Sequence, residues 1–195
     1  MPREFLTVQV IGKGLDQKLK KASDAARKAA VRAINRAATS GRAEGIKQIR
    51  KDVNFKAGYL RERIQLHKAT FRREYAVIRA RARPTRLDRF LSSRRNFRPG
   101  AAAGRVLVKK QAGSRLVRGS FYVPLKYGRG EPGTSGLGIA RRLRTGPGSG
   151  RAYKVLHSTS VHNAFEDVAE HVARHATEVF KRRYRQELRR ELDRQ

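Results

Sequence analysis

The stretch Val53-Asn54-Phe55-Lys56-Ala57-Gly58-Tyr59-Leu60-Arg61-Glu62-Arg63-Ile64 joins two kinds of periodicity. A long Ala/Lys/Arg pattern of helical spacing runs into it, and strand-like alternation runs out of it, so the chain must combine both kinds of element. Ala57-Gly58 supplies a place to turn, after which Tyr59, Leu60 and Ile64 recur at helical spacing. These three are read as a buried core hinge, with Arg61 and Arg63 facing outward.

Upstream, Phe5 to Ile11 alternates, with Leu6, Val8 and Val10 on one face, and predicts a half-buried strand. From Leu15 the apolar positions fall every three or four residues through Leu19, Ala22, Ala26, Ala33, Ile34 and Ala37. The result is a long helix with a small-residue face that another backbone can approach closely. Gly41 and Gly45 weaken the pattern, and a kink or break is expected near Ser40-Gly41. Downstream, Tyr75 to Arg83 alternates and sets Arg79, Arg81 and Arg83 on one face, about 6.7 Å apart in a row, before Pro84 ends the strand. A row of guanidinium groups suits an extended polyanion or a line of carboxylates, and equally an exposed strand face guarded by arginine.

Residues 92 to 104 read as a basic loop containing Arg94, Arg95 and Arg98. Arg105 to Lys110 and Arg115 to Leu125 read as strands joined at Gln111-Ala112-Gly113-Ser114. A Gly-rich loop spans 127 to 151, and its inner piece with Arg141, Arg142 and Arg144 is expected to become a strand on assembly. The last segment is an amphipathic helix over about 160 to 193, capped by Ser158, Thr159 or Ser160. Its stripe runs from Val161 to Tyr184, Leu188 and Leu192, with distal turns expected to project and meet a neighbouring subunit. The fold expected is a single α+β domain over 1 to 195: a small antiparallel, barrel-like sheet core packed by two long helices, with basic loops as arms.

Charge narrows the choice of partner. Forty-seven Lys and Arg against 16 Asp and Glu give a formal charge of +31, which calls for a large anionic partner or an acidic neighbour. Residues 53 to 152 hold 25 of the basic side chains and only 4 carboxylates, so the anion-facing surface is expected there. The chain has no cysteine, which removes disulfides and thiolate chemistry. No apolar run reaches a membrane-spanning length and no signal-like run opens the chain, so a soluble product made in a cytoplasm is expected.

The motifs that carry chemistry fail on physical grounds. Gly128-Arg129-Gly130-Glu131-Pro132-Gly133 spells a dinucleotide fingerprint, but Pro132 and the residues after it offer no helix N-terminus for a pyrophosphate. His171 and His175 stand four apart without the glutamate of H-E-x-x-H, and read as two histidines on a polar helix face. Glu62, Glu74, Asp88 and Glu131 form no visible acid/base pair. No enzyme, metal or cofactor is expected.

The order of parts is recognisable nonetheless. Val31-Arg32-Ala33-Ile34-Asn35-Arg36-Ala37-Ala38 leads to the Val53–Ile64 joint, then to Arg83-Pro84-Thr85-Arg86-Leu87-Asp88-Arg89-Phe90, Gly119-Ser120-Phe121, a glycine-rich loop, and Ser158-Thr159-Ser160-Val161 opening the last helix. Over roughly residues 15 to 192 this resembles the minor tail protein Z family of long-tailed bacteriophages, the tail completion proteins of lambda-like tails. The resemblance implies a structural virion protein in the neck region of the tail, assembled in the host cytoplasm. It implies a homo-oligomeric ring, a hexamer, beside tail terminator, tail tube and head-tail connector proteins, with a role in head joining and in placing the genome end, DNA in the channel included. Arg79, Arg81, Arg83, Arg94, Arg95, Arg98, Arg141, Arg142 and Arg144 are then the candidates for contact with a polyanion or acidic ring. Tyr184, Leu188 and Leu192 are the candidates for a subunit interface. The long basic loops exceed the family's pattern. A standalone basic DNA- or RNA-binding protein is the alternative that composition alone leaves open.

Overall fold

The structure, a computed structural model, describes residues 5–11, 24–93, 98–125, 136–143 and 152–193. The start of the expected first helix, before Asp24, lies outside them. The chain divides into two compact units, one drawn from Met1–Lys51, Lys56–Arg83 and Ser160–Gln195, the other from Asp52–Phe55 and Pro84–Thr159.

In the first unit, strands β1 (Phe5–Ile11), β2 (Ile64–His67) and β3 (Ala76–Arg81) form an antiparallel sheet in the order β1-β3-β2. The alternation of β3 does not produce one wet face: every residue but Arg79 is buried. Helix α1 (Asp24–Asp52) runs without interruption through Ser40-Gly41, where a break was expected. Its buried face is made of Ala29, Ala30, Ala33, Ile34, Ala37, Ala38, Gly41, Gly45 and Ile49. The glycines serve contact rather than interruption. A Cβ on Gly45 would stand 2.8 Å from Phe165 Cε2 and 3.2 Å from Val172 Cγ2, inside contact distance of two buried side chains.

The hinge is built as expected at its centre. Helix α2 (Ala57–Arg63) buries Leu60 completely, and Ile64 is equally buried, although it opens β2 rather than extending the helix. Tyr59 is half-buried with the Arg63 guanidinium 5.3 Å from its ring centroid, and Arg61 is exposed. Arg42 on α1 fixes the joint by donating from Nε to the Ile64 carbonyl (2.8 Å) and from Nη2 to the Arg61 carbonyl (2.5 Å). Carbonyls that end a helix lack an intrahelical donor, and a guanidinium suits both their need and the helix dipole. Asn35 acts similarly on the loop after β2. Its amide donates to the Ala69 carbonyl (3.0 Å) while its Oδ1 accepts from the Ala69 amide (2.7 Å).

The C-terminal segment is two helices rather than one. Ser160 caps α3 (Val161–Glu166) by accepting from the Asn163 amide at 3.0 Å; a turn at Asp167-Val168 follows, and then α4 (Ala169–Leu192). The turn seats Phe165 and Val172 together against Gly45.

The second unit consists of β4 (Pro84–Arg86), a 3-10 turn at Leu87–Phe90, β5 (Arg105–Val106), β6 (Arg115–Leu116), β7 (Ser120–Pro124), β8 (Leu137–Arg142), β9 (Tyr153–Val155) and β10 (His157–Ser160). β10 pairs with β4, β5 with β6, and β7-β8-β9 form a sheet. Among the described residues these are small open sheets, and the barrel-like closure expected from the sequence does not form, because β5 and β6 offer only two residues each. Residues 100–103 lie along the free edge of β7, with Ala103 and Tyr122 amides donating to Ser120 and Ala101 carbonyls. β8 is a central strand within this chain, so Leu137–Arg142 needs no assembly partner to pair. The run Thr85 to Phe90 is core: Thr85, Asp88 and Phe90 are buried, and Phe90 meets Phe55 at 5.2 Å.

Two glycine substitutions separate close packing from propensity. Gly58 in α2 has open space where a Cβ would go, so Gly58→Ala should stabilise by about 0.5–1 kcal/mol. Gly45→Ala gains the same propensity but pushes into the Phe165 ring, and overpacking of about 1–3 kcal/mol makes it a net loss. Urea melts that show both variants equally stabilised would refute the close approach. Leu60→Asp should abolish the folded signal in circular dichroism, whereas Arg61→Gln leaves it intact.

Candidate functional site

The candidate polyanion contacts divide by position. Arg79 is exposed on β3 and Arg83 is exposed beyond the strand's end, but Arg81 is only 8% exposed. The expected row of three displayed guanidinium groups is therefore corrected to two exposed arginines with a buried one between them, because the face that they share is covered at Arg81. Arg94, Arg95 and Arg144 lie outside the described residues. Arg98 is exposed just before the segment that edges β7. Arg141 and Arg142 are exposed at the end of β8, where Arg141 donates to the Arg118 carbonyl at 3.1 Å and the Arg142 guanidinium stands 5.7 Å from the Phe121 ring. From Arg89 to Thr159 the sequence has sixteen Lys and Arg and one carboxylate, Glu131. The segment therefore carries a large excess of positive charge over its own carboxylates.

The helical unit handles its charge differently. Helices α1 and α4 face each other along a polar seam. His175 bonds Ser40 at 2.8 Å, and His171 contacts Glu44 at 3.3 Å and Gln48 at 3.1 Å. Farther along, Glu187 and Glu191 are buried at 4% and 8% exposure. Arg32 pairs with Glu191, and Arg36 and Arg190 each approach Glu187 at 3.6 Å. His171 is exposed and His175 half-buried on a polar helix face, and both also contact polar groups of α1 across the seam. The distal turns of α4 are held to α1 by these ion pairs instead of projecting free. Arg32, Asn35, Arg36, Glu187 and Arg190 line a shallow cleft of about 400 Å³ that the sequence reading did not anticipate. The available signal was the i,i+4 pair Glu187/Glu191 on a helix otherwise rich in arginine.

Because the carboxylates take the inward positions, the apolar ridge of α4 turns to the flank. Phe180, Tyr184 and Leu188 are half-buried and Leu192 is 56% exposed. Phe180 and Tyr184 stack at 5.7 Å with an interplanar angle of 18°. Tyr184, Leu188 and Leu192 therefore lie along one partly exposed flank of α4, beside its packed face. Of the hinge candidates, Leu60 and Ile64 are core and Tyr59 is half-buried.

The family model described as prophage minor tail protein Z (GPZ) matches residues 13–195. The chain belongs to this family. It is accordingly a structural protein of a phage tail and a component of the virion, in a family that is typically non-enzymatic. Neither a curated protein nor a solved structure matches the chain significantly. Among the described residues no helix is long and apolar enough to cross a membrane. No group of three or more metal-ligating side chains occurs among them either.

The seam of this minor tail protein Z relative gives a pH dependence. The Glu44 carboxyl is held below its usual 4.5, first by the hydrogen bond from Gln48, with His171, Lys47 and His175 adding to the effect and burial opposing it. A lowered folded-state pKa means that the Glu44 contribution is complete above about pH 4.5 and disappears as pH falls through the folded value. The stability difference between wild type and Glu44→Gln should therefore shrink as pH falls below about 4.5; a difference unchanged from pH 5 down to pH 3 would contradict the assignment.

Proposed function

We propose that this protein completes the tail at its head-proximal end. In this reading six copies form a ring beside the tail terminator and tail tube proteins, help join the tail to the head connector, and present basic side chains to the genome end in the channel. The observation that carries it is the family match over nearly the whole chain. Two features of the molecule support the finer points. The exposed cations of residues 89–159 are nearly free of carboxylates, which lowers the cost of confining a polyanion beside them. The half-exposed ridge Phe180-Tyr184-Leu188-Leu192 offers apolar area for a second copy. On this reading the protein does no chemistry: it holds the neck, having been assembled there from the host cytoplasm.

Tails assembled without the protein should be of normal length but fail to join heads, and added protein should restore joining in electron micrographs and plaque assays. Tails that join heads equally well without it would end the proposal. Tyr184→Ser combined with Leu188→Ser should leave the circular dichroism spectrum unchanged while reducing the protein's retention on tails at least ~10-fold, by loss of about 1.5–3 kcal/mol of apolar contact per side chain. Full retention would remove the ridge from the interface.

A further inference from the structure

The sheet β7-β8-β9 carries an aromatic and guanidinium cluster that neither ion pairing nor core packing accounts for. Register places Phe121 opposite Ala140 and Tyr153 opposite Arg142, so Phe121, Ala140, Arg142 and Tyr153 share one face. Ala140 is buried and small, and the two rings meet above this row, edge to face, with centroids 6.1 Å apart and planes at 77°. The Arg142 guanidinium stands 5.7 Å from the Phe121 centroid. A cluster formed only to cover Ala140 would hide its rings, yet Tyr153 remains 45% exposed. Planes at 77° mean that the two rings do not stack on each other, and the Tyr153 ring keeps exposed surface that a planar ligand can reach.

We propose that Tyr153, with Phe121 and Arg142, is a stacking subsite for an unpaired base of a single-stranded nucleic acid. Every base has a π-face, so an exposed ring beside an arginine holds it without reading sequence. The occupant follows from charge. Arg142 lies on the same face as the rings, Arg141 and Lys154 are paired on the opposite face of the same strands, and from Arg89 to Thr159 the sequence supplies a single carboxylate, Glu131, so a polyanionic strand is the occupant this face favours. A duplex keeps its bases stacked on one another and offers the ring nothing. The subsite rests on the polyanion-contact part of the proposed function and names the chemistry of that contact: unpaired bases as well as phosphates.

The test compares a short thymidine oligonucleotide with an abasic strand of equal length, by fluorescence anisotropy on the full chain at low salt. Both carry the same phosphates, so only the bases differ. The wild type should bind the thymidine strand at least ~5-fold more tightly. Tyr153→Ala should bind both strands alike, at the wild-type abasic level, and Tyr153→Phe should keep the preference. Salt-sensitive binding without preference would overturn the stacking subsite and leave the polyanion contact standing. No binding to either strand would overturn both. Competition by poly-glutamate as effective as that by the thymidine strand would assign the face to an acidic protein instead, and a Tyr153→Ala variant that retained the preference would place stacking elsewhere.

Discussion

Self-repulsion is the constraint that the whole structure has to meet. With 47 cations and 16 carboxylates, the compact state is opposed by its own field, and each carboxylate matters more than it would in a balanced chain. Among the described residues four are buried, and each is met by arginine: Glu74 by Arg27 at 2.9 Å, Asp88 by Arg86 at 3.1 Å, and Glu187 and Glu191 by the arginines of the α1–α4 seam. A buried carboxylate left without its partner is strongly unfavourable, so these pairs specify which helix faces and turns come together more than they add net stability. The arginine partners stay partly exposed, which limits the desolvation that the pairs incur.

The same accounting separates two roles for basic residues. In the helical unit Arg27, Arg32 and Arg36 have carboxylates of the chain itself to neutralise them, and Arg42 is committed to backbone carbonyls. From Arg89 onward to Thr159 the sequence itself supplies one carboxylate, Glu131, against sixteen Lys and Arg. Close packing allows the first arrangement. The alanine and glycine face of α1 lets Phe165 and Val172 come within contact distance at Gly45, leaving the seam's edge for the polar ladder.

Much of this was legible in the sequence. Periodicity located the strand at Phe5–Ile11, the small-residue helix, the buried Leu60 and Ile64, and the amphipathic C-terminal helix, because each depends on local spacing. Misreadings arose where tertiary contact decides. Gly41 and Gly45 looked like interruptions because propensity cannot see a neighbouring helix. Arg81 looked exposed because alternation cannot report what packs over a sheet face. The distal turns of α4 were expected to project, whereas Glu187 and Glu191 hold them to α1; a rule placing charge outward fails when arginines wait on the facing helix. The pairing of Phe121 with Tyr153 depends on the register of β7, β8 and β9, and no local pattern reports it.

The central claim is that exposed arginines of the β-rich unit face a polyanion while those of the α1–α4 seam are already answered. It is tested most directly by the salt dependence of DNA affinity. The variant Arg98→Gln with Arg141→Gln should flatten the slope of log K against log salt by about 1.8, nearly one unit per lost phosphate contact, while Arg32→Gln with Arg36→Gln leaves the slope as in the wild type. An equal flattening by both pairs, or a larger one from the seam pair, would contradict this division of charge.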